Sequence, residues 1–276
     1  MITQSFDTSL NAEETQISLL RKSSIVERIS RVRSLSQTTI QLSRRAISRA
    51  NPGLSEQEIN LIFVAYHYGD ELANRLRTYM EKNMKKPDTI AALEPVIEVF
   101  ENLGIGYYIG GSVASSAYGI ARATMDIDLV ANLEQHHVEP LVRNLETEYY
   151  IDVDVITDAI RRHSSFNIIH LETMIKVDVF VLKEQSYHQK SFERKRIDTL
   201  DEESAREFYL ASPEDIILNK LDWYRMGGGV SERQWLDVLG VLKVQRDLLD
   251  TEYLRYWASE LQISDLLNQA FDDAGI

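Results

Sequence analysis

The chain has 276 residues, with 30 Lys plus Arg against 43 Asp plus Glu for a net charge of −13, 44% hydrophobic residues and no cysteine. This length supports one large or two ordinary domains, each with its own core, and the missing cysteine excludes disulfides, cysteine-ligated zinc, iron-sulfur clusters and thiol catalysis. The opening MITQSFDTSLNAEETQ lacks the basic and apolar stretches of a secretory signal, and no apolar run approaches the roughly 18 residues of a membrane span, so a cytoplasmic protein with no membrane contact is expected.

The charge is bipolar: residues 1–90 sum to +3 and 91–276 to −16. Residues 21–50 hold eight basic side chains (Arg21, Lys22, Arg28, Arg31, Arg33, Arg44, Arg45, Arg49) against the single acid Glu27. An acidic body excludes nonspecific nucleic-acid binding over its whole surface but leaves this stretch as a candidate phosphate contact, with a helical face docked on the acidic body as the alternative.

In chain order, Ile25, Ile29 and Val32 carry helical spacing, and Asn51-Pro52-Gly53 interrupts it. Ser55 and Glu58 then form a capping box before LIFVAYHYG, which predicts a long helix to about Met84. Lys85, Lys86 and Pro87 interrupt the chain again before a helix from about Ile90 to Leu103, ended by Gly104. From Gly106 the period becomes two: YYIGG, a helix SVASSAYGI, then MDIDLVANL, YYIDVDVI, SSFNIIHL and KVDVFVL predict a sheet. After Phe208 helices return, with Ser212 as N-cap and Pro213 at the first helical position before IILNKLDWYRM. Gly227, Gly228 and Gly229 end that helix, Ser231 opens QWLDVLGVLKVQRDLL, and Thr251 to Ala270 add one or two more. The expected division is an α-helical domain over 1–87, an α+β core over 88–210 and a helical subdomain over 211–276.

Candidate chemistry gathers at residues 109–130. Gly110 and Gly111 close a strand and open a helix whose free N–H groups suit an anion, although a plain turn explains a lone pair of glycines equally well. In a strand, Asp126 and Asp128 share a face while Met125, Ile127 and Leu129 take the other. Close carboxylates repel unless a cation neutralises them, and Mg²⁺ takes such hard oxygen ligands. Asp178 in KVDVFV lies on the polar face with Lys176, and three aspartates on adjacent strands could hold two metals about 4 Å apart, as in phosphoryl transfer.

Gly111-Ser112, thirteen residues, Asp126-Ile127-Asp128 and the later Asp178 resemble the signature of the polymerase-β-like nucleotidyltransferases. Arg122-Ala123-Thr124-Met125-Asp126-Ile127-Asp128-Leu129, then SPEDIILNKLDW and SERQWLDVLGVL, are similar to AbiEii-type abortive-infection nucleotidyltransferase toxins over residues 90–270. The resemblance implies a nucleotidyltransferase-type mixed sheet flanked by helices and transfer of a nucleoside monophosphate from a triphosphate, ATP among them, to a hydroxyl. It also implies a toxin–antitoxin or defence setting. Asp126, Asp128 and Asp178 would bind Mg²⁺, with Asp178 also deprotonating the acceptor; Gly110, Gly111, Ser112, Arg122, Thr124 and Lys220 would bind the nucleotide; Lys220 and Asp237 would act beside it. The favoured acceptor is a tRNA 3′ end, with small-molecule and protein hydroxyls as alternatives. Two features depart from the family: the thirteen-residue gap is long, and residues 1–90 have no counterpart in its core. Those residues are expected to regulate the transferase or bind a partner, and a catalytically inactive binding protein on the same fold is the competing reading.

Several residues carry simpler expectations. Asp152 and Asp154 repeat the D-x-D pattern without a glycine turn and are expected to face solvent; His136 and His137 are expected on the surface. Phe166, Asn167 and His170 would line a nucleotide or acceptor pocket or belong to a plain strand. Lys220 would be catalytic or a solvated helix residue, and Tyr253, Tyr256 and Trp257 pack helices.

Overall fold

A computed structural model describes residues 2–5, 7–77, 89–199 and 206–276. The fold is α+β: seven strands in a mixed sheet flanked by helices, and among the described residues no helix is long and apolar enough to cross a membrane. The chain divides into two compact units, the first made of residues 1–32, 108–122 and 183–276, the second of 33–107 and 123–182. Each unit collects segments distant in sequence. The interruption expected at Lys85 to Pro87 lies outside the described residues.

The first unit takes α1 (Leu10–Lys22), the start of α2 (Ile25–Ala50), most of β1 (Tyr107–Ile109) and α6 (Gly111–Tyr118). It continues with α9 (Ser186–Glu193), β6 (Arg196–Thr199), β7 (Glu207–Leu210), α10 (Pro213–Met226), α11 (Glu232–Gln245), α12 (Thr251–Glu260) and α13 (Ser264–Ala274). β7 runs parallel to β1 and antiparallel to β6. Ser212 caps α10 by accepting from Asp215 N, with Pro213 in the first turn as expected. The core joins α6, α10 and α11 through Ala114, Ala117, Ile217, Leu218, Val238 and Leu242. A Cβ on Gly119 would lie 2.8 Å from Ser115 O and 2.9 Å from Val241 N, so only glycine lets α11 approach the end of α6 this closely. Residues of 1–32 are built into this unit: Arg28 donates to the carbonyls of Ala117, Leu20 and Ser23, and Lys243 pairs with Glu13 at 3.0 Å.

The second unit holds the rest of α2, then α3 (Glu56–Tyr68), α4 (Asp70–Leu76), α5 (Glu94–Asn102), β2 (Asp126–Ala131), α7 (Val138–Leu145), β3 (Tyr149–Tyr150), α8 (Val153–Arg162), β4 (Ser165–His170) and β5 (Lys176–Val181). Its strands run in the order β3-β4-β5-β2, with β2 parallel to β5 and β4 antiparallel to it. The expected capping box at Ser55 and Glu58 forms, but the long helix to Met84 does not: Gly69, with φ of 96°, separates α3 from α4, and residues 78–84 lie outside the description. The helix predicted from Ile90 begins later, at Glu94, behind a turn. The strand predicted over 149–156 is also corrected. It ends after Tyr150, because the Asp152 carboxylate accepts from Asp154 N and Val155 N and starts α8, burying Ile156 and Ala159. Among the described residues, α7, α9, β6 and β7 carried no expectation.

Candidate functional site

In the first unit, β1 runs into Gly110, and Gly111 adopts φ of 51° to begin α6, a left-handed value that favours glycine. Ser112 follows in the first turn. Its Oγ accepts a hydrogen bond of 2.6 Å from Arg122 Nη2. The same guanidinium grips Asp237 on α11 through Nε–Oδ1 and Nη2–Oδ2 contacts of 2.8 Å each, and Lys220 Nζ on α10 lies 2.8 Å from Asp237 Oδ2. Burial alone would raise the Asp237 pKa, yet the Arg122 hydrogen bonds and the charges of Lys220 and Arg122 hold it below the usual carboxylate range. Arg122 and Lys220 thus share the Asp237 carboxylate near the start of α6, where the helix N–H groups also favour an anion. Lys220 is therefore no solvated helix residue: its side chain is only 12% exposed and ion-paired.

In the second unit, the β2–β5 register sets Asp126 opposite Lys176 and Asp128 opposite Asp178. Paired residues of adjacent strands share a face, so all three aspartates lie on one side, while Ile127, Leu129, Val177 and Val179 are buried on the other. Lys176 Nζ sits 2.6 Å from Asp178 Oδ2 and 5.6 Å from the ring centroid of Tyr68 at the end of α3. Tyr68 is fixed by donating to Met125 O at 2.8 Å, and burial together with the Asp126 charge raises its pKa. Burial pushes Asp178 up, Lys176 opposes that shift, and Asp126 adds to it. Thr124 is buried, and its hydroxyl donates to Asp126 Oδ1 at 2.7 Å. The donor set suits a hard divalent ion. Among the described residues, though, no three Asp, Glu or His side chains converge as a metal cage, since Asp178 faces Lys176.

The remaining expectations divide. Phe166 is buried in the core, and His170 is buried with Nδ1 2.9 Å from Thr173 Oγ1, while Asn167 is exposed opposite Asp178. His136 is exposed, but His137 is buried, its Nδ1 accepting from Glu134 N. Tyr253 does more than pack: it donates to Asp215 at 2.7 Å, and Trp257 meets the Tyr187 ring at a tilt, with centroids 5.4 Å apart. Within the basic stretch, Arg44 is turned from solvent to Thr173 O and the Phe63 ring, whereas Arg31, Arg45 and Arg49 are exposed. Tyr68, Gly119 and Gly240 are the contributors that sequence reasoning missed. A Tyr at a helix end before glycine, and glycines amid apolar helix runs, were the available signals.

No family model matches the chain, and no curated protein matches it in sequence. Among solved structures it is similar to the antibiotic-resistance factor ANT(2'')-Ia, at 16% identity and a TM-score of 0.41 over 64% of this chain and 94% of that one. It is also similar to an antigenic nucleotidyltransferase-like protein from Paracoccidioides brasiliensis, at 17% identity and a TM-score of 0.41 over 66% of this chain and 91% of that one. Likenesses this distant concern the course of the backbone and assign no activity to this chain.

Proposed function

We propose that the protein is a Mg²⁺-dependent nucleotidyltransferase that joins a nucleoside monophosphate from a triphosphate to a hydroxyl acceptor, with pyrophosphate leaving. The observation that carries this reading is the β2–β5 register, which sets Asp126, Asp128 and Asp178 on one strand face. Bound there, the metal would neutralise phosphate charge and acidify the acceptor hydroxyl. In this reading Asp178 takes the hydroxyl proton as the acceptor oxygen bonds to the α-phosphorus and the bond to pyrophosphate breaks; its raised pKa suits a base. The Gly110-Gly111 turn, the Ser112 hydroxyl and the cations Arg122 and Lys220 hold phosphates, and Asp237 keeps both cations in place.

The likeness of R-A-T-M-D-I-D-L and P-E-D-I-I-L-N-K to AbiEii-type toxins favours tRNA as acceptor, with Arg45 and Arg49 on the exposed side of α2 as phosphate contacts. The test is incubation with each labelled triphosphate, Mg²⁺ and separate tRNA, protein and small-molecule fractions. Label should appear in the tRNA fraction and vanish with the Asp126→Ala/Asp128→Ala variant; no label in any fraction removes the reading. An inactive binding protein on this fold is the second reading, supported by the Lys176–Asp178 pair, which already neutralises part of the acidic face.

A further inference from the structure

We propose that the outward face of α2 is a docking surface for an acidic amphipathic helix of a partner protein. This surface owes nothing to the acidic strand face and stands whether or not the protein transfers nucleotides. In the second unit, two stripes run along opposite sides of α2. Ser36, Ile40 and Ile47 are buried, Ser36 Oγ accepts from Thr124 N at 2.9 Å, and Arg44 is turned to Thr173 O, so this side fixes the helix on its unit. Leu35, Thr38, Leu42, Arg45 and Arg49 are all exposed, and their alternating spacing of three and four sets them on one line about 21 Å long. Leu35 and Leu42 are 46% and 59% exposed. Thr38 between them donates its hydroxyl to Ser34 O at 2.8 Å, which satisfies the polar group within its own helix and keeps the line apolar from 35 to 42.

Spacing calls for a helix, and charge gives its sign. Alternation of three and four is the seam of a two-helix contact, in which apolar side chains insert between residues of the facing helix. The α2 sequence carries six arginines against one acid, Glu27, and Arg45 and Arg49 close the exposed line. A facing helix therefore needs apolar side chains over 35–42 and Glu or Asp beyond them. A second copy of α2 fails this requirement. Paired in parallel it sets Arg45 and Arg49 against themselves, and paired antiparallel with Leu35 on Leu42 it sets Arg45 against Arg31 and Arg33. RNA would engage the two arginines and leave both leucines in water. An acidic amphipathic helix covers both, and it would compete with tRNA for the same arginines.

The experiment follows the fluorescence anisotropy of a labelled three-heptad helical peptide, with Leu at the seam positions of two heptads and Glu at those of the third, as the full chain is added. A peptide with Lys for each Glu and a single-stranded oligouridine serve as comparisons. The acidic peptide should bind and the Lys peptide should not. Leu35→Ser/Leu42→Ser and Arg45→Ala/Arg49→Ala should each weaken binding about tenfold or more, with circular dichroism unchanged because all four side chains are exposed. No binding of the acidic peptide overturns the proposal, as does equal binding of the Lys peptide, or a Leu35→Ser/Leu42→Ser variant that binds as tightly as the wild type. Oligouridine binding that depends on the arginines, in a chain that ignores the acidic peptide, assigns the surface to RNA instead. Should a variant fail to fold, the contrast between the two peptides on the wild type decides alone.

Discussion

In the first unit one buried carboxylate, Asp237, is shared by Arg122 and Lys220; in the second, three carboxylates share a strand face on which Lys176 pairs with Asp178. The first cluster is a neutralised core held by three helices and a tight turn. The second is an acidic strand face set by strand alternation. The difference separates residues that anions would meet from residues that cations would meet. It also shows that the same residue type has opposite pKa behaviour in the two places: Asp237 is held down and Asp178 is pushed up.

The largest expected effect comes from the anionic side. Asp126→Ala/Asp128→Ala should lower the transfer rate about 10³-fold or more, about 4 kcal/mol of transition-state stabilisation, with circular dichroism unchanged. A smaller loss would mean that the face is not where the chemistry occurs. On the cationic side Asp237→Ala should instead cost folding stability, about 3 kcal/mol by denaturant titration, because Arg122 and Lys220 would remain close together without their acid. Unchanged stability there would contradict the neutralised-core description.

Gly119→Ala should destabilise by about 2 kcal/mol, since its Cβ would press on Ser115 O and the Val241 backbone, and the displacement of α11 should weaken nucleotide binding as well. Thr124→Val removes one hydrogen bond to Asp126 and should cost about 1 kcal/mol, read as weaker Mn²⁺ affinity. The smallest effect in size has the clearest sign. Asp237 has a depressed folded pKa, so its contribution to stability is present above the ordinary carboxylate value near ~4 and fades as pH falls through the folded value. Asp178 has a raised one, so its contribution is greatest below the ordinary value and is lost as pH rises through the folded pKa. Stability measured against pH should therefore lose its acid-side slope in Asp237→Asn and rise near neutrality in Asp178→Asn.

The anionic side was legible in the sequence because alternation in MDIDLV and KVDVFV fixes which residues share a face, and the parallel register needed only to align them. The caps at Ser55, Ser212 and Ser231 were legible for the same local reason. The cationic cluster was legible only by resemblance. Ser112, Arg122, Lys220 and Asp237 are brought together by the approach of α11 to α6 at Gly119 and Gly240, which no local period encodes. The misread strand at 149–156 failed because alternating Val and Asp residues also satisfy a helix once Asp152 caps it.

The most direct measurement compares α-labelled with γ-labelled triphosphate, incubated with the protein, Mg²⁺ and tRNA. Nucleotidyl transfer predicts that the α label enters the tRNA, that the γ label leaves in pyrophosphate, and that both signals are lost in Asp126→Ala/Asp128→Ala. Transfer of the γ label, or α-label transfer that survives the double substitution, would contradict the assignment of the β2–β5 face.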